Sequence, residues 1–277
     1  MYRNFLWIEP QYYSLEKARF TVIPVPHEET TSYVKGTRRG PAAILRASQH
    51  VEGFDEELGY ETYKKDLIYT LNSITLKGLE HRLPALIKKK KIPVILGGEH
   101  SISPVAVRVL ARQHDDLSVL QLDAHADLRD SYEGKKESHA CVMRRILETC
   151  PAVQVGVRNI SREGWEFAQE TGQIDKIHWA RKIELVEKIE NQLSKNVYIT
   201  IDVDVFDPSL VPATGTPEPG GMFWYEVLDI LSRVCRDKNV VGFDVMELSP
   251  LKVCHASDFT VAKLVYKIMG YISAKRK

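Results

Sequence analysis

Two clusters of acidic and histidine side chains follow apolar segments of the sequence. Asp123, His125 and Asp127 follow LSVLQL, and Asp202 and Asp204 follow NVYITI. Alternate residues of an extended chain face one side, so each cluster is predicted to turn its polar groups toward one point. Adjacent carboxylates at the end of a buried strand repel each other unless a cation lies between them. The two clusters therefore predict a metal site.

A third apolar segment, IPVILGG, leads to His100. Its glycines, Gly97 and Gly98, permit a close approach of another backbone. The complete ligand set is rich in oxygen and contains no thiolate, which favours a hard or borderline ion such as manganese over sulfur-bound structural zinc. Six ligands would crowd one ion, whereas two ions bridged by carboxylates use them all. The predicted ligands are His100, Asp123, His125, Asp127, Asp202 and Asp204.

Two metal ions a few ångströms apart can activate a water and polarise an electrophile beside it, which suits hydrolysis of a poorly electrophilic carbon. Glu247, at the end of VVGFDVMEL, could form a forked salt bridge with a planar guanidinium group. His139, in ESHACVMRR, could donate a proton to a departing amine. Taken alone, Glu247 can also be explained as a helix or turn cap, and His139 as an ordinary histidine at a helix start.

Six β-branched runs must position these residues, and the stretches between them are mostly compatible with helices. This alternation predicts βαβ units and a parallel sheet covered on both faces, with ligands at the carboxyl ends of its strands. Pro41 predicts the start of an early helix. The Pro- and Gly-rich SLVPATGTPEPGG predicts an irregular loop of functional importance. The runs are FTVIPV, IPVILGG, LSVLQLDAH, AVQVGVR, NVYITIDVDVF and VVGFDVMEL.

The composition favours one globular domain that spans residues 1–277, with 44% hydrophobic residues. The 38 basic and 37 acidic side chains balance, so nothing predicts binding to nucleic acid or to an anionic membrane. A small molecule is the expected partner. Neither a signal sequence nor an apolar stretch of about 18 residues is evident, and we expect a cytoplasmic protein. Four scattered cysteines predict reduced thiols: Cys141, Cys150, Cys235 and Cys254.

Five motifs in this order resemble the ureohydrolase family of arginases, agmatinases and formiminoglutamases. They are GGEHS, QLDAHADLRD, SHACVMRRI, ITIDVDVFDPSLVPATGTPEPGG and FDVMELSP. The resemblance extends from about Tyr33 to Pro250. It implies a three-layer αβα sandwich around a mainly parallel eight-stranded sheet, two Mn²⁺ ions per subunit and a homotrimer or homohexamer. The implied reaction is attack on a guanidinium carbon, with release of urea and an amine.

The resemblance also assigns roles to individual residues. Asp123 and Asp202 would bridge the ions, with His100 and Asp127 completing one site and His125 and Asp204 the other. The implied catalytic residues are His139, Glu247 and Asp127. The implied substrate-binding residues are Glu247, Thr216 and His139.

The substrate expected from the resemblance is agmatine, which would place the enzyme in polyamine biosynthesis. RDSYEGKKESHA, AVQVGVRN and TSYVKGTRRGPAAILRAS resemble the agmatinase form, whereas arginases carry an Asn-containing segment that holds the amino acid's carboxylate and ammonium groups. N1-aminopropylagmatine, guanidinobutyrate and arginine are the alternative substrates. We expect loops that include residues 158–163 to read the substrate tail.

Two alternatives lie outside the ureohydrolases. Zinc deacetylases share the implied fold, but they carry a paired His-His general base, and this sequence contains no His-His pair. A non-catalytic homologue is the other alternative, because a fold alone does not guarantee chemistry.

Overall fold

Short strands alternate with helices along the chain. The computed structural model describes residues 4–182 and 186–275, so the last two residues of the C-terminal AKRK segment, which we expected to be a frayed tail, lie outside it. The strands are β1 (Phe20–Val25), β2 (Phe54–Asp55), β3 (Tyr60–Glu61), β4 (Ile68–Thr70), β5 (Ile92–Gly97), β6 (Leu117–Leu122), β7 (Ala152–Val157), β8 (Ile177–Trp179), β9 (Asn196–Asp202) and β10 (Asn239–Met246). The helices are α1 (Gly40–Ser48), α2 (Thr62–Lys65), α3 (Leu76–Lys88), α4 (Ser103–Ala111), α5 (Val142–Leu147), α6 (Arg162–Thr171), α7 (Val186–Gln192), α8 (Trp224–Asp237) and α9 (Ala256–Ala274).

The six β-branched runs form the inner strands of one eight-stranded sheet. Its order is β4-β1-β5-β10-β9-β6-β7-β8, and every pairing in it is parallel. The two edge strands, β4 and β8, are three residues long each and were not predicted. The small pair β2 and β3 is antiparallel and separate.

Helices cover both faces of the sheet, because central parallel strands are apolar on both sides. Residues of α1, α7, α8 and α9 pack in the hydrophobic core on one face. Residues of α3, α4, α5 and α6 pack in the core on the other face. The predicted three-layer αβα sandwich is therefore confirmed. The assignment of residues 1–277 to one domain stays a prediction.

Local predictions about turns are also confirmed. Helix α1 begins at Gly40 with Pro41 in its first turn. The segment 209–221 has no regular helix or strand.

All four cysteines are free thiols. No helix in the described part of the chain combines the length and apolarity needed to cross a bilayer.

The turn after β5 brings two backbones into contact at Gly98. Gly98 N–H donates to Val25 O at 3.0 Å, and a Cβ atom on Gly98 would lie 1.9 Å from His27 O. The predicted close approach is confirmed, and it fixes the chain just before the site residue His100.

We predict that Gly98→Ala lowers the free energy of unfolding by about 2–3 kcal/mol, because the new methyl group collides with rigid backbone. Denaturant unfolding measures this loss. Gly78→Ala in α3 is the matched control: its Cβ would meet other atoms no closer than 3.3 Å, and we expect a change below about 1 kcal/mol. Equal effects of the two substitutions would contradict the proposed collision.

Candidate metal centre

Most of the site lies at the carboxyl ends of four adjacent central strands, β5, β10, β9 and β6. His100 lies in a 3-10 turn that follows β5, and Glu247 directly follows β10. Asp202 is the last residue of β9, and Asp123 directly follows β6. Because parallel strands present their carboxyl ends together, residues far apart in sequence become neighbours.

The predicted ligands form two groups that share Asp123. In one group, His100 Nδ1 lies 3.1 Å from Asp123 Oδ2, 3.2 Å from Asp202 Oδ2 and 3.7 Å from Asp127 Oδ2. In the other, His125 Nδ1 lies 2.9 Å from Asp204 Oδ2 and 3.7 Å from Asp123 Oδ1. Each group places at least three ligand atoms within 4.8 Å of one another, which suits a single ion.

The convergence of these side chains was predicted, but the extended geometry offered for it was wrong. Strand β6 ends at Leu122, and Asp127 has φ +51°. Residues Val203–Val205 form a 3-10 turn. The aspartates cap the turns that carry them, since His125 N–H donates to Asp123 Oδ1 at 2.6 Å and Asp204 N–H donates to Asp202 Oδ1 at 3.0 Å. Turns, rather than alternation along a strand, therefore aim the carboxylates.

Hydrogen bonds inside the sheet orient His100. Thr200 Oγ1 donates its single proton to Asp244 Oδ1 at 2.6 Å, and Tyr198 OH donates to Asp244 Oδ2 at 2.7 Å. Thr200 Oγ1 lies 2.8 Å from His100 Nε2, so it must accept a hydrogen bond there. Nε2 thus carries a proton, and Nδ1 faces the carboxylates.

A chain of buried glutamines orients Asp123. Gln121 Nε2 donates to Asp123 Oδ2 at 2.7 Å, and Gln154 Nε2 donates to Gln121 Oε1 at 2.6 Å. Gln154 Nε2 also donates to the carbonyl of Ala126 at 2.8 Å, which fixes the direction of its amide. The chain of glutamines therefore ends in the Gln121 amide N–H, which donates a hydrogen bond to Asp123.

Burial and charge move the pKa values of the cluster apart. Burial raises the pKa of Asp127 and Asp202 well above the ordinary value, and neighbouring aspartates raise it further. For Asp123, contacts with His100 and His125 outweigh burial and lower the pKa. For both histidines the carboxylates outweigh burial and raise the pKa. Burial and like charge therefore oppose the ionised forms of Asp127 and Asp202 unless a cation lies beside them.

These residues fit divalent metal ions. His100 Nδ1 is buried and forms no hydrogen bond with any described residue, although carboxylate oxygens surround it. A buried nitrogen in this setting needs a cation beside it, either a proton or a metal ion. Two divalent ions would neutralise the four aspartates, and the imidazole and carboxylate donors suit a borderline ion.

A cavity of about 170 Å³ opens onto the cluster. Glu247 and Thr216 line it, as do His139 and Asp127, so the predicted substrate-binding residues share one space with the ligand groups. Glu247 is 8% exposed and has φ +64°. Its Oε1 accepts from His100 N–H at 2.7 Å, which leaves Oε2 for a ligand.

The rim of the cavity includes the loop at residues 158–161, whose residues have different roles. Arg158, which we expected near the substrate tail, donates to backbone carbonyls that include Asp204 O at 2.6 Å and Glu218 O at 2.8 Å. The guanidinium of Arg158 therefore stabilises these loops, and Arg158 is not among the residues that line the cavity. Asn159 and the two residues after it do line the cavity.

Sequence reasoning missed the residues behind the ligands. Thr200 and Gln121 interrupt the apolar runs NVYITI and LSVLQL, and Asp244 interrupts VVGFDVMEL. Each is fully buried. Since a polar side chain in a strand buried on both faces needs a partner, its position was a usable signal. Glu99, also fully buried, carried no such signal because it follows the strand.

Residues 18–270 match the family model described as "Arginase family". The chain belongs to the arginase family. This confirms the resemblance drawn from the five motifs. Arginase-family enzymes hold a binuclear metal centre, which agrees with the two ligand groups of this chain.

Individual relatives are similar over nearly the whole chain. An N(1)-aminopropylagmatine ureohydrolase of Synechocystis sp. is 38% identical, covering 93% of this chain and 90% of the relative. An agmatinase of Pyrococcus horikoshii is 37% identical, covering 92% and 93%. The crystal structure of the agmatine ureohydrolase of Thermoplasma volcanium superposes with a TM-score of 0.82 at 31% identity, covering 94% and 91%.

We predict that Asp123→Asn abolishes the binding of both metal ions, because Asp123 contributes to both ligand groups. His100→Asn should mainly weaken one ion. Metal analysis and calorimetric titration of the purified variants measure both effects. Asp229→Asn, an exposed aspartate of α8, is the matched control and should bind two ions. Two tightly held ions in Asp123→Asn would show that the shared position is wrong.

Proposed function

We propose that this protein hydrolyses agmatine to putrescine and urea with two Mn²⁺ ions. The observation that carries the proposal is the single cavity that five of the six ligand candidates line together with Glu247, Thr216 and His139. The sixth candidate, Asp123, belongs to both ligand groups. A carboxylate that faces this cavity matches a guanidinium group in charge and in hydrogen-bonding shape. The names of the agmatinase and N(1)-aminopropylagmatine ureohydrolase relatives support the same reaction class.

The two ions would be held by His100, Asp123, Asp127 and Asp202, and by Asp123, His125, Asp202 and Asp204. When bound, they supply a water nucleophile at neutral pH and Lewis acidity. This chemistry separates the proposal from the one-metal zinc deacetylases, since the chain has two ligand groups.

Glu247 would receive the substrate guanidinium. Burial raises the pKa of Glu247, and Asp202 raises it further, so a cationic guanidinium would favour its ionised form. Oε2 would accept guanidinium N–H groups while Oε1 remains bound to His100 N–H. Thr216 lies on the same wall and would assist this contact.

His139 would move a proton to the departing amine. Burial lowers its pKa, so the neutral imidazole predominates near pH 7 and can accept a proton before it donates one. Its place on the cavity wall, apart from the two ligand groups, suits this role.

The wall of the cavity would also hold the substrate tail. Among the described residues that line the cavity, Arg129 is the only one with a lysine or arginine side chain. It could pair with a carboxylate, which favours guanidinobutyrate as a second candidate. N1-aminopropylagmatine is a third, on the evidence of the relatives' names. Arginine would need partners for a carboxylate and an ammonium group together.

We also propose a cytoplasmic homotrimer or homohexamer that acts in polyamine biosynthesis. The support comes from the family resemblance, and the free cysteines are compatible with a reducing compartment. Gel filtration with light scattering measures the oligomer.

We predict that His139→Asn lowers turnover by roughly two to four orders of magnitude, the usual contribution of general acid catalysis, while two ions stay bound. Urea release and metal content of the same preparation check both parts. His81→Asn, at an exposed histidine of α3, serves as the control and should keep normal turnover. Loss of manganese in parallel with activity would make His139 a ligand or structural residue.

We predict that agmatine exceeds arginine by at least about 100-fold in kcat/KM, because arginine would bury charges that lack complete partners. The assay is urea release from agmatine, N1-aminopropylagmatine, guanidinobutyrate and arginine after loading with Mn²⁺. No urea from any substrate would favour a non-catalytic homologue. Preference for another member of the panel would keep the reaction and change the substrate.

A further inference from the structure

Glu99 is a fully buried carboxylate that precedes the ligand candidate His100 in the sequence and belongs to neither ligand group. Its Oε2 accepts from the backbone N–H groups of Glu29 and of Thr30, the latter at 2.6 Å. Its Oε1 accepts from Ser101 Oγ at 2.5 Å and from Thr30 Oγ1 at 2.8 Å. An ionised carboxylate only accepts hydrogen bonds, so these four groups must donate. His27 Nε2 lies further away, 3.9 Å from Oε1.

The direction of these bonds reaches His139 through Thr30. Thr30 Oγ1 has one proton, which it donates in the hydrogen bond to Glu99 Oε1. The remaining lone pairs of Thr30 Oγ1 face His139, whose backbone N–H donates to it at 3.0 Å and whose Nδ1 lies 3.1 Å away. Nδ1 must therefore carry a proton that it donates to Thr30.

The other nitrogen of His139 is then free to exchange a proton with a ligand. Nε2 lies 3.4 Å from Ser32 Oγ, and both residues line the cavity. Ser138 Oγ is a second neighbour of Nδ1, at 3.4 Å, but this contact is longer than that of Thr30. Thr30, which donates to Glu99, is thus the nearer partner of Nδ1.

We propose that Glu99 is a positioning residue that, through Thr30, holds His139 in the Nδ1–H tautomer with Nε2 turned to the cavity. This inference rests on the proposed role of His139 as proton donor. The imidazole would take up its mobile proton at Nε2 and return it from Nε2 to the departing nitrogen. A fixed Nδ1–H would also keep the ring from turning during turnover.

Glu99→Gln tests the direction of the network with almost no change in volume. Because the backbone N–H groups at 29 and 30 need an acceptor, the glutamine oxygen should face them and its NH₂ group should face Thr30 Oγ1. Thr30 would then donate to His139 Nδ1, and the ring would switch to the Nε2–H tautomer. We expect kcat to fall roughly 10- to 100-fold, with KM and metal content little changed.

The tautomer has a readout of its own. Nitrogen-15 spectra of histidine-labelled protein, loaded with a diamagnetic divalent ion, distinguish Nδ1–H from Nε2–H, and His139→Asn identifies the resonance. Thr30→Val should lose the fixed tautomer, and Thr30→Ser should restore it. Thr171→Val is the matched control for Thr30→Val: Thr171 is exposed in α6, its hydroxyl donates to the carbonyl of Phe167 at 2.7 Å, and the substitution should leave tautomer and kcat within about threefold of the wild type.

The outcomes separate this inference from the proposed function. A wild-type protein that releases no urea but shows the Nδ1–H signal, lost in Glu99→Gln, would sink the reaction and support the network. An active wild type whose Glu99→Gln variant keeps both the tautomer and the rate would overturn the positioning role. Ser138→Ala adds a final check: loss of the tautomer there would transfer the role from Thr30 to Ser138.

Discussion

Repulsion among buried carboxylates is the constraint on which the rest of the site depends. Asp123, Asp202 and Asp204 are at most 4% exposed, and the charges of Asp204 and Asp123 add to burial in raising the pKa of Asp202. Two imidazoles cannot neutralise them, and burial without compensating charge is costly. The sheet gathers these groups because its four central strands end together. A fold that concentrates like charge in this way requires cations, and here that requirement coincides with the chemistry proposed.

The polar groups inside the sheet solve a second problem, which is direction. A ligand must present a lone pair, and a proton on the wrong atom blocks it. Asp244 accepts the hydroxyl proton of Thr200 in a hydrogen bond. Thr200 then accepts from His100 Nε2, which determines the tautomer of His100. Glu99 and Thr30 form the same arrangement with His139. In both, a buried acceptor fixes a threonine hydroxyl and the hydroxyl fixes an imidazole, so the core of the protein determines proton positions at its surface cavity.

Much of this could be read from the sequence, and the exceptions have physical reasons. Apolar runs predicted the six inner strands, and the six ligand candidates follow three of these runs, where several carboxylates gathered at buried strand ends predict a metal. Strands β4 and β8 are too short for such a pattern. The left-handed backbone at Asp127 and Glu247 could not be predicted, because tertiary contacts impose it on residues that disfavour it. The bond between Thr30 and Glu99 joins residues 69 apart, beyond any local periodicity.

Substrate choice lies outside the elements that the fold fixes. The relatives at 37–38% identity carry the names of two activities, whose substrates differ by an aminopropyl group far from the guanidinium. Glu247 and the ligand groups meet only the end that these substrates share. The remaining free energy of discrimination must come from loop residues such as Arg129 and Asn159 on the cavity wall. Loops tolerate sequence change that the ends of buried strands do not. The catalytic centre can therefore stay constant while the rim changes the substrate, and overall identity is a poor guide to which tail the enzyme accepts.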